Sequence, residues 1–334
     1  MFLLLASILV QEVFRVEVQP WDFQSGGNPE TFIHGTNQLE TDGIDLFILP
    51  SRVPKIIQIK TDGTYVRTIG REGEGPGELG SYPPKATAVS PAGIWVLTSR
   101  AKHANLYIDG KFAHDLRLRN YMFRGSGLPA YAFAFNQDYV VIQAHPTTGS
   151  LANAYNYDGT IHKKVSRILP IEPEFLKRNP AINGTIWRYD DGRWYCLFVH
   201  RPIIRVFGAD FEMEKEFILN GPEIEVYEEI FFKNEPDPNW TYPKPHFTDF
   251  KVAGNSLLVL CDGMLYQVEK STGEVLSRTH FNGDAEIRKR MSGDRLHFIY
   301  FAQVDDRLFL ASTSAIYDHD LWTVKVPFKG TSNP

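Results

Sequence analysis

The sequence predicts an all-β fold, a single six-bladed β-propeller built from four-stranded antiparallel blades. Aromatic residues make up 13% of the 334 residues, an excess typical of β-rich chains. Short turns flanked by alternating apolar residues recur along the chain, which is the pattern of β-hairpins. The recurrence has a period of about 45–50 residues, which lies within the range of propeller blades.

The recurring turns mark the outer two strands of each blade. In each case two strands are joined by a tight turn where Gly or Asp tolerates a positive φ. Asp62, Asp109, Asp158 and Asp210 occupy four of these turns. The hairpins cover 56–69, 104–118, 152–168, 203–219 and 264–281.

A second hairpin lies upstream of each of these and supplies the inner two strands of a blade. These inner hairpins cover 32–50, 86–98, 131–143, 185–199, 247–261 and 297–312. One domain over 11–330 follows, with no linker or change of composition to divide it. Its six blades are predicted at 32–69, 85–118, 131–168, 185–219, 247–281 and 296–328.

The sixth blade lacks a fourth strand, because the chain ends soon after 320–328. A propeller closes its ring or leaves unpaired strand edges. Residues 13–18, "VFRVEV", form a short alternating strand without a local partner. We therefore predict that 13–18 form the outer strand of the last blade and so close the ring.

One blade resembles a known repeat. The stretch "GREGEGPGELGSYPPKATAVSPAGIWVLTSRAKHANLYIDGKFAHDL" (70–115) is similar to NHL-like six-bladed propeller repeats. In that family a glycine-rich turn and a proline introduce an inner strand, and a polar-Arg pair precedes the third strand. The segment "LFVHRPIIRVFGADFEME" (197–214) repeats the second half. The resemblance implies architecture more than activity, because the family includes scaffolds, sensors and a few enzymes.

The glycine-rich stretch 68–80 raises three alternatives: a phosphate cradle, a cation site or a structural crossing between blades. No Lys-Ser/Thr pair follows it, and Glu72, Glu74 and Glu78 would repel an anion. We therefore interpret it as the crossing from the outer strand of blade one to the inner strand of blade two. Glycines permit its turns and a proline restricts it, at Gly70, Gly73, Gly75, Pro76 and Gly77.

Loops of an antiparallel blade alternate between two faces of the propeller. The turn face carries the turns between first and second strands and between third and fourth strands. The crossing face carries the connections between second and third strands and the crossings from one blade to the next. Because the crossings are long and binding tends to reside in such loops, we predict a ligand site on the crossing face.

Basic and aromatic residues fall on the crossing face. Guanidinium groups suit a carboxylate, sulfate or phosphate, and aromatic rings suit sugar or peptide side chains. The alternative is that the arginines pair with carboxylates of neighbouring blades, such as Glu72, Glu74, Glu78 or Asp318, and that the aromatic loop packs against the neighbouring blade. The candidate ligand-binding residues are Arg52, Arg100, His145, His200, Arg201, Trp240, His246 and His297.

The sequence favours binding over catalysis. The serine-hydrolase elbow, the zincin pair and the phosphate-binding P-loop are missing from the chain. The inner-strand positions near the channel are too basic for a hard cation, so we expect no metal and no cofactor. We predict a binding or scaffold propeller for a protein, peptide or glycan. The alternative is a channel-centred lyase or hydrolase, with or without a metal, that uses His246, His297 or Asp318.

Charge and the N-terminus bear on partners and localisation. A net charge of -5 gives no general attraction to nucleic acid. The apolar run 2–10 suits a signal-peptide core and is too short to span a membrane, although no Lys or Arg precedes it. We expect 1–10 to be a signal-peptide remnant on an exported, periplasmic or extracellular monomer; the alternative is an apolar strand of a cytoplasmic protein. We expect Cys196 and Cys261 to be buried and not bridged.

Overall fold

The computed structural model describes residues 12–20, 36–90, 92–98, 103–118, 133–144, 148–170, 183–229, 246–261, 263–282, 298–311 and 321–325. These ranges form six sheets with almost no helix. The predicted fold class, an all-β six-bladed propeller with four-stranded antiparallel blades, is confirmed.

Two short strands precede the first blade, β1 (Glu12–Glu17) and β2 (Gln19–Pro20). Blade one contains β3 (Thr36–Thr41), β4 (Asp45–Pro50), β5 (Ile56–Lys60) and β6 (Tyr65–Ile69). Blade two contains β7 (Ala86–Ser90), β8 (Gly93–Leu97), β9 (His103–Ile108) and β10 (Lys111–Arg117). Blade three contains β11 (Phe133–Phe135), β12 (Tyr139–Gln143), β13 (Ser150–Asn156) and β14 (Ile161–Arg167).

Blade four contains β15 (Thr185–Asp190), β16 (Arg193–Phe198), β17 (Ile203–Phe207) and β18 (Met213–Ile218). The helix α1 (Pro222–Glu228) follows it. Blade five contains β19 (Phe247–Ala253), β20 (Ser256–Cys261), β21 (Met264–Glu269) and β22 (Val275–Asn282). Blade six contains β23 (Tyr300–Val304), β24 (Arg307–Ala311) and β25 (Leu321–Lys325).

The first strands of the six blades form a closed inner ring. Each of β3, β7, β11, β15, β19 and β23 contacts the next, and β23 contacts β3. The apolar core lies between blades and not within them, since one face of each sheet packs on its neighbour. Ile48 and Ile57 of blade one, for example, share a cluster with Ala302 and Phe309 of blade six.

The N-terminal segment closes the last blade, but through other residues than expected. Gln19 and Pro20 of β2 pair antiparallel with Thr323 and Trp322 of β25. Strand β1 instead runs parallel to β22, so residues 13–17 of the predicted closing strand lie along the outer edge of blade five. We call residues 12–20 the N-terminal clasp.

The clasp changes blades because of one apolar residue. Val18 is 2% exposed and packs in the cluster between blades five and six, with Phe281 and Trp322. Since Val18 fills this boundary, the chain before it can pair only with blade five and the chain after it with blade six. One short segment therefore joins two blades.

The glycine-rich crossing is held by its own side chains. Glu78 accepts a hydrogen bond from the Gly75 amide at 2.7 Å and pairs with Arg71 at 2.9 Å. Gly73 and Gly80 form an isolated β-bridge, and Leu79 is fully buried. The carboxylate of Glu78 thus neutralises an arginine of its own loop.

Two glycines of this crossing are required by close approach. Gly70 and Gly77 have φ values of 74° and 73°, a region that favours glycine. A Cβ on Gly70 would lie 2.4 Å from Leu79, and one on Gly77 would lie 2.7 Å from Phe112 of blade two. The loop therefore packs tightly on blade two.

Other features agree with the sequence or lie outside the described part. The sequence also predicts three short helical pieces between blades, at 171–179, 223–232 and 284–291. Helix α1 coincides with the start of the second, and the other two lie outside the described residues. Cys196 and Cys261 are buried and are not joined by a disulfide, as expected. Within the described residues, the helical segment is too short and too polar to cross a membrane.

The clasp yields a stability prediction. Val18→Ala should lower the free energy of unfolding by about 1–3 kcal/mol, because it removes buried methyl groups. The matched control is Val13→Ala, at a position of the same segment that is 47% exposed, which should change stability by less than about 0.5 kcal/mol. Urea denaturation measures both. Equal effects of the two variants would contradict the anchoring role of Val18.

Candidate functional site

Charged side chains from three blades meet in the central channel. Along an inner strand, successive residues point to opposite sides. Leu39 and Phe250 pack in the cores between blades, so their neighbours in sequence face the other way. The charged residues brought together in this way are Glu40, Arg188, Asp249 and Lys251, which we call the channel network.

Arg188 is the centre of the channel network. Its Nη2 donates to Glu40 Oε1 and to Asp249 Oδ1, each at 3.1 Å. Lys251 Nζ lies 2.8 Å from Glu40 Oε1 and 3.4 Å from Asp249 Oδ2. Two cations and two carboxylates make the network formally neutral.

The side chains of the channel network span the central channel and close it at the position where they meet. Glu40 belongs to blade one and Arg188 to blade four, which are opposite in a ring of six, so their contact crosses the axis. Backbone groups contribute as well, since Asp249 accepts the amides of Phe250 at 2.7 Å and Phe301 at 3.0 Å. Gln38 donates to Glu40 Oε1 at 2.7 Å. The carboxylates are thus extensively bonded.

The two carboxyl groups are shifted in opposite directions. Burial raises the pKa of Glu40, but Arg188 and Lys251 outweigh burial and leave this pKa below its ordinary value. Burial raises the pKa of Asp249, and the charge of Glu40 adds to that effect. Of the two carboxyl groups, Glu40 is therefore the one that is firmly ionised.

A pocket of about 440 Å³ lies above the network, on the turn face. Its position follows from its lining, because Ala92 and residues 136–138 belong to the turns after β7 and β11, and Ser90 and Phe135 are the last residues of those strands. Glu40 and Arg188 form its floor. The other lining residues are Ala88, Val89, Phe133, Ala134, Trp187 and Tyr189.

The polar groups of this pocket differ in how many of their hydrogen bonds are formed within the protein. Asn136 Oδ1 accepts the amides of Asp138 at 2.9 Å and Tyr139 at 2.7 Å, which holds the turn after β11. Arg188 Nη1 donates to the Trp187 carbonyl at 2.9 Å. In contrast, the buried Arg188 Nε meets no acceptor among the described residues.

The predicted basic residues of the crossing face lie in different environments. Arg52 is exposed and Arg201 is partly buried. His200 and His246 are 1% and 4% exposed, respectively. Arg100, His145, Trp240 and His297, together with Asp318 of the catalytic alternative, lie outside the described residues.

The two buried histidines flank Tyr227 of helix α1. The ring of His246 stacks on that of Tyr227 at 3.8 Å, and His200 Nδ1 lies 3.5 Å from the Tyr227 hydroxyl. His246 Nε2 lies 3.0 Å from Cys261 Sγ. Burial, with the charge of His200, lowers the pKa of His246 to about 3. His246 is therefore neutral near pH 7 and packed between blades four and five.

The described residues hold no metal site of the usual kind. No three His, Cys, Asp or Glu side chains in this part of the chain converge to ligate an ion. The channel network itself contains two cations that already neutralise its carboxylates. The four side chains of the network are therefore ion-paired with one another.

Sequence reasoning missed the network and the pocket. A signal was present for two of its members, because Arg188 and Asp249 each lie between apolar residues of an inner strand. Charged residues in the first strand of a propeller blade have no place between blades, so they must face the channel. Which of these charged residues contact one another depends on how the six blades are arranged in the ring, and no single strand determines it.

Comparison with protein-family models finds no match, and comparison with curated proteins finds none either. Several solved structures are similar. BamB from Moraxella catarrhalis is 12% identical with a TM-score of 0.44, over 86% of this chain and 84% of that one. Virginiamycin B lyase from Staphylococcus aureus is 12% identical with a TM-score of 0.47, over 84% and 77%. The WD40 propeller domain of Doa1 is 9% identical with a TM-score of 0.49, over 89% and 80%. These likenesses assign no activity, and the NHL-like resemblance stays a prediction.

The channel network yields a second prediction. Arg188→Met should lower the free energy of unfolding by about 3–5 kcal/mol, because it leaves two buried carboxylates with one cation. Arg193→Met is the control, since that arginine pairs with Glu214 at the surface and should contribute less than about 1 kcal/mol. Urea denaturation compares them. A small loss in Arg188→Met would contradict the network's role.

His246 yields a prediction on pH. Its pKa is lower in the folded than in the unfolded chain, so the unfolded chain binds more protons between pH 6.5 and about 3. This group should therefore cost stability as the pH falls through that window, by at most about 1.4 kcal/mol per pH unit. His246→Phe should flatten the pH dependence of stability relative to the wild type. Urea denaturation at several pH values measures this, and an unchanged pH profile in His246→Phe would contradict the assignment.

Proposed function

We propose that this protein is a non-enzymatic binding propeller that takes part of a protein, peptide or glycan into the turn-face pocket. The observation that carries the proposal is the pocket of about 440 Å³ floored by the channel network. Its volume lies in the range of small-ligand sites, and it combines aromatic walls with a few polar groups. The fold is compatible with binding and scaffold roles.

The bonding of the channel carboxylates supports binding over catalysis. A general acid or base must exchange a proton with the substrate. Glu40 Oε1 instead receives Gln38, Arg188 and Lys251, and its lowered pKa keeps it ionised. His246, a candidate of the catalytic alternative, is stacked on Tyr227 and buried.

The crossing-face rim remains a second proposal. Arg52 is exposed there and Arg201 is partly so, and both sit after the second strand of a blade. This rim would favour anionic groups, whereas the turn-face pocket would not. The two proposals place the ligand on opposite faces, and one set of variants separates them.

The test uses the whole chain and a panel of immobilised peptides and glycans. Ala92→Trp adds an indole at an exposed position that lines the pocket, so it should weaken binding at least about tenfold, which is about 1.4 kcal/mol. Asn255→Trp places the same ring at the exposed turn between β19 and β20 and is the matched control. Arg201→Ala tests the crossing face.

The outcomes separate the faces. Loss of panel binding in Ala92→Trp, with retention in Asn255→Trp and Arg201→Ala, supports the pocket. Loss in Arg201→Ala alone overturns the pocket in favour of the crossing face. Turnover of a panel member, together with a metal retained in native mass spectrometry, would favour the lyase or hydrolase alternative.

Export is also a proposal. Cleavage near Gln11 would remove the apolar run 2–10 and leave residues 12–20, which form the clasp. A mature chain that starts near this position would thus keep what closes the ring. N-terminal sequencing of the protein from its native source tests this, and an intact Met1 would contradict it.

A further inference from the structure

The geometry points to a neutral carbohydrate as the ligand of the turn-face pocket. This inference rests on the proposed function, because it names the chemical class that the pocket would bind. It draws on three properties of the described lining: its charge balance, its exposed polar groups and its aromatic walls.

The charge balance disfavours strongly charged ligands. Arg188 on the floor is shared by Glu40 and Asp249, each at 3.1 Å, so its charge is already compensated. Glu40 is likewise compensated by Arg188 and by Lys251 at 2.8 Å. An anion in the pocket would meet the Glu40 carboxylate beside the guanidinium, and a cation would meet the Arg188 guanidinium. Among the described lining residues, Asp138 at the rim is the charged group outside the network.

The polar groups suit hydroxyls. A hydroxyl both donates and accepts hydrogen bonds, so it can satisfy mixed partners. Gln137 and Asp138 at the exposed rim offer an amide and a carboxylate. Adjacent sugar hydroxyls would pair with these groups without bringing a charge.

The aromatic wall suits the apolar face of a sugar ring. Tyr189 lines the pocket and is 36% exposed. Its ring is supported from behind by Trp194 at a centroid distance of 4.7 Å, so its orientation is held before a ligand arrives. Phe135 lines the same pocket. An aromatic ring of this kind contacts C–H groups while its polar neighbours bond hydroxyls.

The experiment measures the full-length chain against three matched probe sets. The first contains neutral oligosaccharides, the second the same sugars as uronic acids, and the third the same sugars as free amines, with unrelated peptides as a fourth set. We expect neutral probes to bind at least about tenfold more tightly than the charged ones. Binding should change little between low and high salt, because no ion pair forms.

Variants connect this selectivity to the pocket. Tyr189→Ala should weaken neutral binding about tenfold, and Tyr189→Phe should retain it, because the ring is kept. Tyr82→Ala, at a tyrosine 67% exposed and remote from the pocket lining, is the control and should have no effect. Thermal denaturation of each variant checks that the fold survives, and Tyr189→Phe keeps the test valid if Tyr189→Ala unfolds.

Failure of this inference differs from failure of the proposed function. If uronic acids, amines or peptides bind best, and Ala92→Trp abolishes that binding, the carbohydrate class is overturned while the pocket stands. If neutral sugars bind equally well to wild type, Ala92→Trp and Tyr189→Ala, the carbohydrate inference and the proposed binding in the pocket are both overturned. If no probe of any set binds, both are likewise overturned.

Discussion

The contact between Arg188 and Glu40 crosses the axis of the propeller and joins opposite blades at 3.1 Å. A buried ion pair is a weak source of stability, because removing charges from water offsets much of their attraction. Its effect here is geometric. The ring must place blades one, four and five so that Arg188, Lys251 and their two carboxylates are all bonded, and the same contacts close the channel and form the pocket floor.

Side chains also join neighbouring blades where the backbone does not. Gln38 exchanges two hydrogen bonds with the backbone of Thr87, both at 2.7 Å, and so ties blade one to blade two. Asp249 accepts the Phe301 amide and Lys251 donates to the Leu39 carbonyl. The inner ring is therefore held by side-chain to backbone bonds, and the clasp holds the outer edge between blades five and six.

The two faces show that loop length and ligand space are separate properties. The long crossing between blades four and five includes α1, whose Tyr227 covers His246, so residues that look like ligand-binding groups serve packing there. The short turns after β7 and β11 lie beside an open pocket. Sequence reasoning favoured the crossing face because it weighed loop length, and that site stays a prediction, whereas the turn-face pocket follows from how the blades pack.

The sequence by itself determined the fold class, the blade pattern and the closure of the ring by the N-terminus, because alternation and turn chemistry act over a few residues. It did not determine that Gln19 and Pro20, and not 13–18, pair with the last blade. Only the tertiary structure decided this, through the space that Val18 fills. The same holds for the channel network, whose Arg188 and Glu40 are 148 residues apart. Such contacts depend on the arrangement of the six blades around the axis, and no local sequence pattern encodes that arrangement.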